Sequence, residues 1–429
     1  MESHSMERIE TQNQIPQIME PSKGTSFFRT CFNGINALSG IGIISVPYAL
    51  SQGGWLCLML LFLVAIICCY TGILLQKCMS VSPSIKTYPD IGEFAFGNKG
   101  RILISIFLYL ELYFVAIEFL ILEGDNLQKL FPDAKNHFGC VKIVGREVFV
   151  LLVAIIILPT TWLKSLGLLA YVSIGGVLAS IVLVFSIFWV GAIDGIGFEE
   201  KGVIWRWDGL ISAISMYTFC YCGHALFPTI CNSMKDRSQF PKVLFVCFIL
   251  STITYGSMAT MGYLMYGQKL MSQITLNLPT RKISSKIAIY TTLVNPITKY
   301  ALVVSPIATA IEDKLPLRKS KFIVSYFIRT FLVISIVIVA LTVPFFGYVM
   351  TFTGALLGVT VSILLPCLCY LKIKKPSYLD VVFIGMILVF GSSVAISGTY
   401  TSLKNIISHS GGYRILWLWV LTIFNINLY

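Results

Sequence analysis

The chain has 429 residues, of which 56% are hydrophobic and only 12% are charged. Soluble domains carry about 25% charged residues, so this composition excludes an ordinary water-soluble protein. The formal net charge of +12 does not indicate a nucleic-acid partner. The basic residues lie between apolar segments and form no continuous basic run with interleaved aromatic residues.

Apolar segments recur along the chain, each close to the roughly 20 residues with which a helix crosses a bilayer. They predict an all-α polytopic membrane protein embedded in the lipid bilayer. The connecting segments are short, so we expect one domain. Eleven spans are predicted near residues 26–50, 54–78, 102–126, 146–163, 168–192, 209–233, 242–266, 284–311, 321–344, 347–371 and 378–400.

The membrane domain is predicted over residues 24–402, between a short polar tail (1–23) and a C-terminal tail (403–429) of unassigned role. The N-terminal tail lacks the apolar core of a secretory signal. Segments on the same side as the N-terminus carry more Lys and Arg than those on the other side. Because basic loops are enriched in the cytosol, we expect a cytosolic N-terminus.

Two of the predicted spans contain helix-breaking residues at matching positions. In span 1, Gly42 precedes Pro47, and in span 6, Gly223 precedes Pro228 at the same spacing. Either pair alone would also fit a simple kink or close packing, since both residue types are common in membrane helices. The two spans lie five apart and therefore run in opposite directions, as an inverted five-plus-five repeat requires. Matched interruptions of this kind indicate a transporter site near the bilayer midplane.

An interrupted helix exposes backbone groups that a cavity, a ligand or an ion must satisfy inside a membrane. The free N–H groups after Gly42 favour a carboxylate, and the carbonyl groups near Ser39 and Phe219 favour an ammonium group. Together they predict a site for a zwitterionic α-amino acid. The predicted substrate-binding residues are Ser39, Gly40, Ile41, Gly42, Phe219, Tyr221 and Gly223, with Pro47 and Pro228 as helix-break residues.

Six segments, in order along the chain, resemble the amino acid/auxin permease family, and within it the vacuolar (vesicular-type) amino-acid transporter branch of plants and fungi. The segments are "NALSGIGIISVPYALSQGGW", "ELYFVAIEFLILEGDNL", "YCGHALFPTICNSMKDRSQFPKV", "TLNLP", "NPITKYALVVSPIATAIE" and "PFFGYVMTFTGALLG". The resemblance covers residues 24–402.

The resemblance implies an eleven-helix fold with the five-plus-five inverted repeat of the amino acid–polyamine–organocation superfamily. It implies a substrate held between helices 1 and 6 and lined by helices 3 and 8, with coupling to protons or another cation. Of these ions we expect protons, with Na⁺ less favoured. It also implies a vacuolar membrane rather than the plasma membrane. Family chains usually end near Ser402, whereas this one continues to "GGYRILWLWVLTIFNINLY", which is either an interfacial segment or an alternative transcript end.

Charged residues inside spans are functional hypotheses by default, because their burial in a membrane is costly. The predicted proton-coupling residues are Glu111 and Glu118 in span 3, His224 in span 6 and Lys299 in span 8. Glu123 and Asp125 lie near the far end of span 3, and we interpret both as rim residues close to water.

Glu111 and Glu118 share one helical face, since they are seven residues apart. At the helical rise of about 1.5 Å per residue, Lys299 lies about 18 Å from the N-terminal side, nearer in depth to Glu111 (about 15 Å) than to Glu118 (about 25 Å). We hypothesise that Lys299 pairs with a span-3 glutamate and that protonation of this pair couples to transport. The alternative is a permanent ion pair that only fixes helix packing.

Several side chains near the span-6 break have two interpretations. His224 either binds substrate, gates or senses pH, or it only caps a loose backbone carbonyl. Tyr217, Phe219 and Tyr221 either line a side-chain pocket or only pack between helices.

These features favour a secondary active transporter that moves amino acids by alternating access around the midplane site. The alternative is a membrane-embedded amino-acid sensor that binds without net transport. The chain has no Walker A sequence, no metal-type histidine cluster and no Ser/His/Asp set. We therefore expect no enzymatic activity, no bound metal and no cofactor.

Overall fold

The computed structural model describes residues 24–132, 145–162, 169–313 and 321–409. The predicted N-terminal tail and the end of the C-terminal tail lie outside these residues. The helices are α1 (Phe27–Leu38), α2 (Val46–Gly53), α3 (Cys57–Met79), α4 (Tyr88–Leu130), α5 (Gly145–Trp162), α6 (Leu169–Ala192), α7 (Leu210–Cys220), α8 (Phe227–Ser233), α9 (Phe240–Tyr266), α10 (Ile283–Glu312), α11 (Lys321–Thr342), α12 (Phe346–Phe352), α13 (Leu365–Ile373) and α14 (Tyr378–His409).

Nine helical segments of the described chain are long and apolar enough to cross a membrane. The short helices α1 and α2 together form span 1, and α7 and α8 together form span 6. The described residues therefore form eleven spans, and the predicted all-α fold with broken spans 1 and 6 is confirmed. Span 10 consists of α12, two π-helical segments (Thr353–Gly358 and Thr360–Leu364) and α13.

The packing has the symmetry of two related halves. Span 1 packs on span 7 as span 6 packs on span 2, and span 1 packs on span 5 as span 6 packs on span 10. Likewise, span 3 contacts span 10 and span 8 contacts span 5. Each contact is matched by another when spans 1–5 are exchanged with spans 6–10, as expected for a five-plus-five repeat.

Span 3 begins earlier than the sequence predicted, at Tyr88 rather than near residue 102. The Thr87 side chain and Asp90 form a capping box at its start, and Gly97 with φ of 69° separates a first short helical segment from the crossing. This backbone conformation costs little only for glycine. Hydropathy did not predict this first segment as part of the helix, because it contains several polar residues.

Span 11 also differs from its prediction, because α14 continues to His409 instead of ending near residue 400. Residues 403–409, assigned to the tail from the sequence, are therefore helical. The His409 ring packs on Tyr348 and Phe345, with ring centroids 5.1 and 6.0 Å away. These contacts with the start of span 10 hold the extended end of the helix.

Candidate substrate site between the two broken helices

The two predicted breaks lie against each other. A Cβ atom added to Gly42 would lie 2.6 Å from the Cys220 Sγ atom and 3.2 Å from its Cα atom. One added to Gly223 would lie 3.1 Å from Leu38 Cδ2. Leu38 ends α1 and Cys220 ends α7. The glycine of each break thus packs on the last residue of the first half-helix of the other break.

Pro47 and Pro228 lie in the first turns of α2 and α8. A first-turn residue has no intrahelical acceptor for its N–H group, so proline fits there without loss of a hydrogen bond. Both prolines therefore begin a second half-helix.

Tyr255 of span 7 joins the two breaks through its hydroxyl group. This hydroxyl donates to the Leu38 carbonyl oxygen and lies 3.1 Å from the Cys220 carbonyl oxygen. The ring is fully buried. Sequence reasoning missed Tyr255, because one tyrosine in an apolar span gives no signal of its partners.

Lys299 does not pair with a span-3 glutamate, so that hypothesis is wrong for this structure. Its Nζ atom donates to the carbonyl oxygens of Asn36 and Ser39, both at 3.1 Å. These carbonyls lie at the end of α1, where no further helical N–H group is available to them. The prediction compared only the depths of Lys299 and Glu111 along their helices. Depth does not determine the side of the helix to which the lysine side chain points. The Ser39 carbonyl, predicted to accept from a substrate ammonium group, already accepts from Lys299.

The two glutamates of span 3 instead face spans 6 and 10. Glu111 Oε1 accepts from the thiol of Cys222, which lies within the span-6 break and 2.9 Å from Ser362 Oγ. Glu118 Oε1 accepts from Thr353 Oγ1 at 2.7 Å. Both glutamates are buried, and their Oε2 atoms have no hydrogen-bond partner among the described residues. Cys222, Thr353 and Ser362 were not singled out from the sequence.

His224 is fully buried and faces span 2. Its Nε2 atom lies 3.1 Å from the Cys68 carbonyl oxygen, to which it donates, and 3.0 Å from Thr71 Oγ1. The carbonyl belongs to the continuous helix α3, so it is not a loose carbonyl of the break.

Of the aromatic residues before His224, Tyr217 and Tyr221 are fully buried, and Phe219 is partly buried. The Tyr221 hydroxyl donates to Thr252 Oγ1 at 2.8 Å, and its ring stacks on Phe248 at 5.7 Å. Tyr221 therefore points towards span 7. Tyr217 is fully buried, and its hydroxyl has no partner in the described part of the chain.

Only one of the two predicted rim residues lies at the rim. Asp125 accepts from Arg146 Nε at 2.7 Å and from Gln273 Nε2 at 3.0 Å, and it lines an open cavity. Glu123 is only 1% exposed, and neither of its carboxylate oxygens has a partner among the described residues. Position along the helix axis predicted nearness to water, but the face of the helix decides burial.

Arg329 of span 9 is a buried charge that the sequence reasoning overlooked. Its Nε atom lies 3.0 Å from Glu312 Oε1, and its Nη1 atom donates to the Thr161 carbonyl at 2.6 Å. These contacts join span 9 to spans 8 and 4. The Arg329 guanidinium therefore stabilises the packing of spans 4, 8 and 9 through Glu312 and Thr161. This contact is separate from the two breaks.

The two ends of the bundle differ in structure. On the side of Gly24, here called the N-terminal face, the Thr25 N–H group donates to the Ser233 carbonyl at 2.7 Å, and Lys235 N donates to Thr25 O at 3.1 Å. These bonds join the start of span 1 to the end of span 6. In the adjoining loop, hydrogen bonds from Ser238 and Gln239 lower the pKa of the Asp236 carboxyl group.

The opposite face carries a cavity of about 820 Å³. Aromatic residues from spans 1 and 10 form part of its wall, together with polar residues from the end of span 3; among them are Tyr48, Phe345, Tyr348, Asp125, Gln128 and Lys129. In the described part of the chain, hydrogen bonds thus join spans 1 and 6 on the N-terminal face, whereas the opposite face carries an open cavity.

Eleven spans in two related halves, with two broken helices in contact inside the bundle, define an inverted-repeat membrane protein of the transporter class. The chain belongs to the family described as transmembrane amino acid transporter protein, whose profile matches residues 23–404. The predicted family is thereby confirmed.

Similar proteins of Arabidopsis thaliana cover almost the whole chain. Amino acid transporter AVT1I is 53% identical over 405 residues, which are 93% of this chain and 99% of that protein. Amino acid transporter AVT1J is 49% identical over 94% of this chain and 96% of its own length. Amino acid transporter ANT1 is more distant, with 28% identity over 89% of this chain and 93% of its own length.

Proposed function

We propose that this protein is a secondary active transporter that moves amino acids across a membrane by alternating access around the two breaks, driven by a proton gradient. The observation that carries the proposal is the reciprocal contact of the breaks, Gly42 against Cys220 and Gly223 against Leu38. This contact gathers polar backbone from two interrupted helices at one depth. The names of the similar proteins support amino acids as the substrate class.

The substrate carboxylate is assigned to span 1. A 3₁₀ turn covers Ile41–Ile44 with Gly40 as its N-cap, and the N–H groups of Ile41 and Gly42 have no acceptor within it. Free N–H groups at the start of a helical turn favour an anion. The substrate ammonium group then lies towards the end of α7, since the span-1 carbonyls are bound to Lys299.

Protons are favoured over Na⁺ as the coupling ion because of Lys299. Backbone carbonyl oxygens are the ligands that Na⁺ takes at broken transporter helices. Here, the carbonyls of Asn36 and Ser39 are already bound by an ammonium group. The buried carboxyl groups Glu111 and Glu118 are the proton-binding candidates, with His224 and Lys299 as further predicted participants.

Uptake into proteoliposomes tests the proposal. A panel of labelled amino acids is presented with and without an imposed pH gradient, and we expect accumulation of at least one substrate only with the gradient. Counterflow of labelled substrate separates a transporter from a sensor, because a sensor binds without moving the label. Binding without counterflow would contradict transport, whereas counterflow without gradient-driven accumulation would contradict proton coupling alone.

We further place the protein in a vacuolar membrane with a cytosolic N-terminus. The sequence resemblance and the distribution of Lys and Arg support this assignment. A fluorescent fusion identifies the membrane in plant cells. Protease protection of an N-terminal tag in isolated vacuoles identifies the side, and a protected tag would contradict the orientation.

A further inference from the structure

Three carboxyl groups lie on one face of span 3. Glu111, Glu118 and Asp125 follow one another at intervals of seven residues within α4, so they align along the helix. Successive members are about 10 Å apart along the axis. We call these three residues the acid stripe. Glu123 lies on the same helix but points to a different face.

The acid stripe joins the open cavity to the span-6 break. At one end, Asp125 lines the cavity of about 820 Å³ on the opposite face. At the other end, Glu111 accepts a hydrogen bond from Cys222, between α7 and α8. The stripe therefore connects aqueous access on one side with the region where substrate is proposed to bind.

The middle of the stripe is buried and has unused acceptor atoms. Glu118 is 0% exposed, and the Oε2 atoms of Glu118 and Glu111 lack a partner in the described part of the chain. Burial of a charged carboxylate oxygen without a hydrogen-bond partner costs free energy. Binding of a proton, the smallest cation, neutralises the carboxylate and removes this cost.

The ionisable groups around the stripe are few. Arg146 faces Asp125 from span 4, and Lys129 follows on the same helix. The Cys220 thiol lies beside Glu118. The Cys222 thiol lies beside Glu111, and the Tyr88 hydroxyl also lies near Glu111. Among the described residues, no Lys or Arg forms an ion pair with either glutamate.

Apolar side chains interrupt the stripe between its members. Phe114 lies between Glu111 and Glu118 on the same face and packs on Phe352 of span 10, with ring centroids 5.2 Å apart. Ile121 and Leu122 lie in the interval before Asp125 and are fully buried, so the step from Asp125 to Glu118 requires a change of their side-chain rotamers. A continuous path for protons would dissipate the gradient, so a relay needs such an interruption.

Span 10 carries both the interruption and a partner of the stripe. Phe352 ends α12, and Thr353, which donates to Glu118, begins the first π-helical segment. Ser362, beside Cys222, lies in the second segment. π-Helical turns are rare and often mark functional sites. A shift of span 10 would move Phe352 and the Glu118 hydrogen bond together.

We propose that the acid stripe is a gated proton relay, in which a proton enters from the cavity at Asp125, is held by Glu118 and reaches Glu111 when span 10 moves Phe352 away from Phe114. Each transfer through intervening water breaks one O–H bond and forms another, so no other reactant is consumed. This inference rests on the proposed proton coupling and adds the side of entry, the order of the groups and the gate.

Glu118→Gln tests the carrier, with Glu123→Gln as the matched control on the same helix. In proteoliposomes, we expect Glu118→Gln to lose accumulation driven by a pH gradient while counterflow at equal pH continues. Glu123→Gln should retain both activities. Asp125→Asn should reduce accumulation when the acidic compartment is on the opposite face.

Phe114→Ala tests the gate. We expect a proton leak without substrate, measured with a pH-sensitive dye inside the vesicles, and its loss in the double variant Phe114→Ala/Glu118→Gln. If Phe114→Ala does not fold, Phe352→Leu provides the same test.

Two outcomes distinguish failure of the relay from failure of the proposed function. If the unsubstituted protein accumulates substrate with a pH gradient and Glu118→Gln does so equally, or neither gate variant leaks, the relay is overturned and proton coupling stands. If the unsubstituted protein shows counterflow but no gradient-driven accumulation, proton coupling falls and the relay falls with it.

Discussion

Gly42 shows how a single residue determines the contact between the breaks. The Cα atom of Cys220 is backbone and cannot rotate away from a new side chain at Gly42, whereas the Sγ atom can. Gly40, two residues earlier, has open space around it, since a Cβ atom there would meet only the Leu38 carbonyl oxygen at 4.0 Å. Substitution by alanine should therefore lower the free energy of unfolding more at Gly42 than at Gly40, although both glycines lie in the same break.

Gly42→Ala should destabilise the protein by about 1–3 kcal/mol through overpacking and should lower counterflow. Gly40→Ala is the matched control for packing and should change thermal stability little. Adding Cys220→Ala to Gly42→Ala removes the Sγ contact and should restore part of the stability. Thermal unfolding in detergent and counterflow measure these effects; equal behaviour of the two alanine variants would contradict the packing argument.

At the scale of elements, Tyr255 fastens spans 1 and 6 to span 7 through two carbonyl groups. Tyr263, on the same helix and equally buried, uses its hydroxyl at the opposite face, where Val203 N donates to it at 2.8 Å. Two buried tyrosines of one helix thus join different elements.

Tyr255→Phe should leave two buried carbonyls without this donor, at a cost of about 1–3 kcal/mol, and should impair counterflow. Tyr263→Phe should lower thermal stability but retain counterflow, because its hydroxyl lies away from the breaks. If the two variants lose transport to the same degree, Tyr255 has no special role in positioning the breaks.

The contacts of Arg329 stabilise the packing of spans 4, 8 and 9. Arg329→Met should cost about 3 kcal/mol, because it leaves the partly buried Glu312 carboxylate without its charge partner. The double variant Arg329→Met/Glu312→Leu removes both charges and should recover much of the loss. Thermal midpoints in detergent measure both; a single variant as stable as the parent would contradict the assignment.

For the whole molecule, the hydrogen bonds that join spans 1 and 6 on the N-terminal face and the cavity on the opposite face fit one state of the proposed alternating-access cycle. The contact on the N-terminal face involves few residues, since it joins the residues just before α1 to the end of α8. The hydroxyl oxygens of Thr25 and Ser233 lie 3.3 Å apart. Opening towards the N-terminal face requires that these two residues separate.

A cysteine pair tests this requirement. Thr25→Cys/Ser233→Cys should form a disulfide on oxidation, stop counterflow and regain activity on reduction, because the bond holds the N-terminal face closed. The single variants are controls and should not respond to the oxidant. Full activity of the oxidised pair, with cross-linking verified by mass spectrometry, would show that the cycle does not open there.

The eleven spans and the two breaks could be predicted from the sequence, because span length, hydropathy and Gly/Pro spacing are local along the chain. The early start of span 3 and the helical extension to His409 could not, since capping bonds and ring contacts outweigh hydropathy there. Sequence position also gave the wrong partner for Lys299 and the wrong environment for Glu123. Both errors concern the side of a helix that faces a neighbour.

The sequence by itself determined that this protein spans a membrane, belongs to an inverted-repeat family and interrupts spans 1 and 6. Only the tertiary structure decided that Lys299 binds the end of α1, that Glu111 and Glu118 face spans 6 and 10, and that Tyr255 joins both breaks. The physical reason is that hydrophobicity and backbone breaks act within one segment. Buried polar groups must instead find partners from distant segments, and which partners meet depends on how the helices pack.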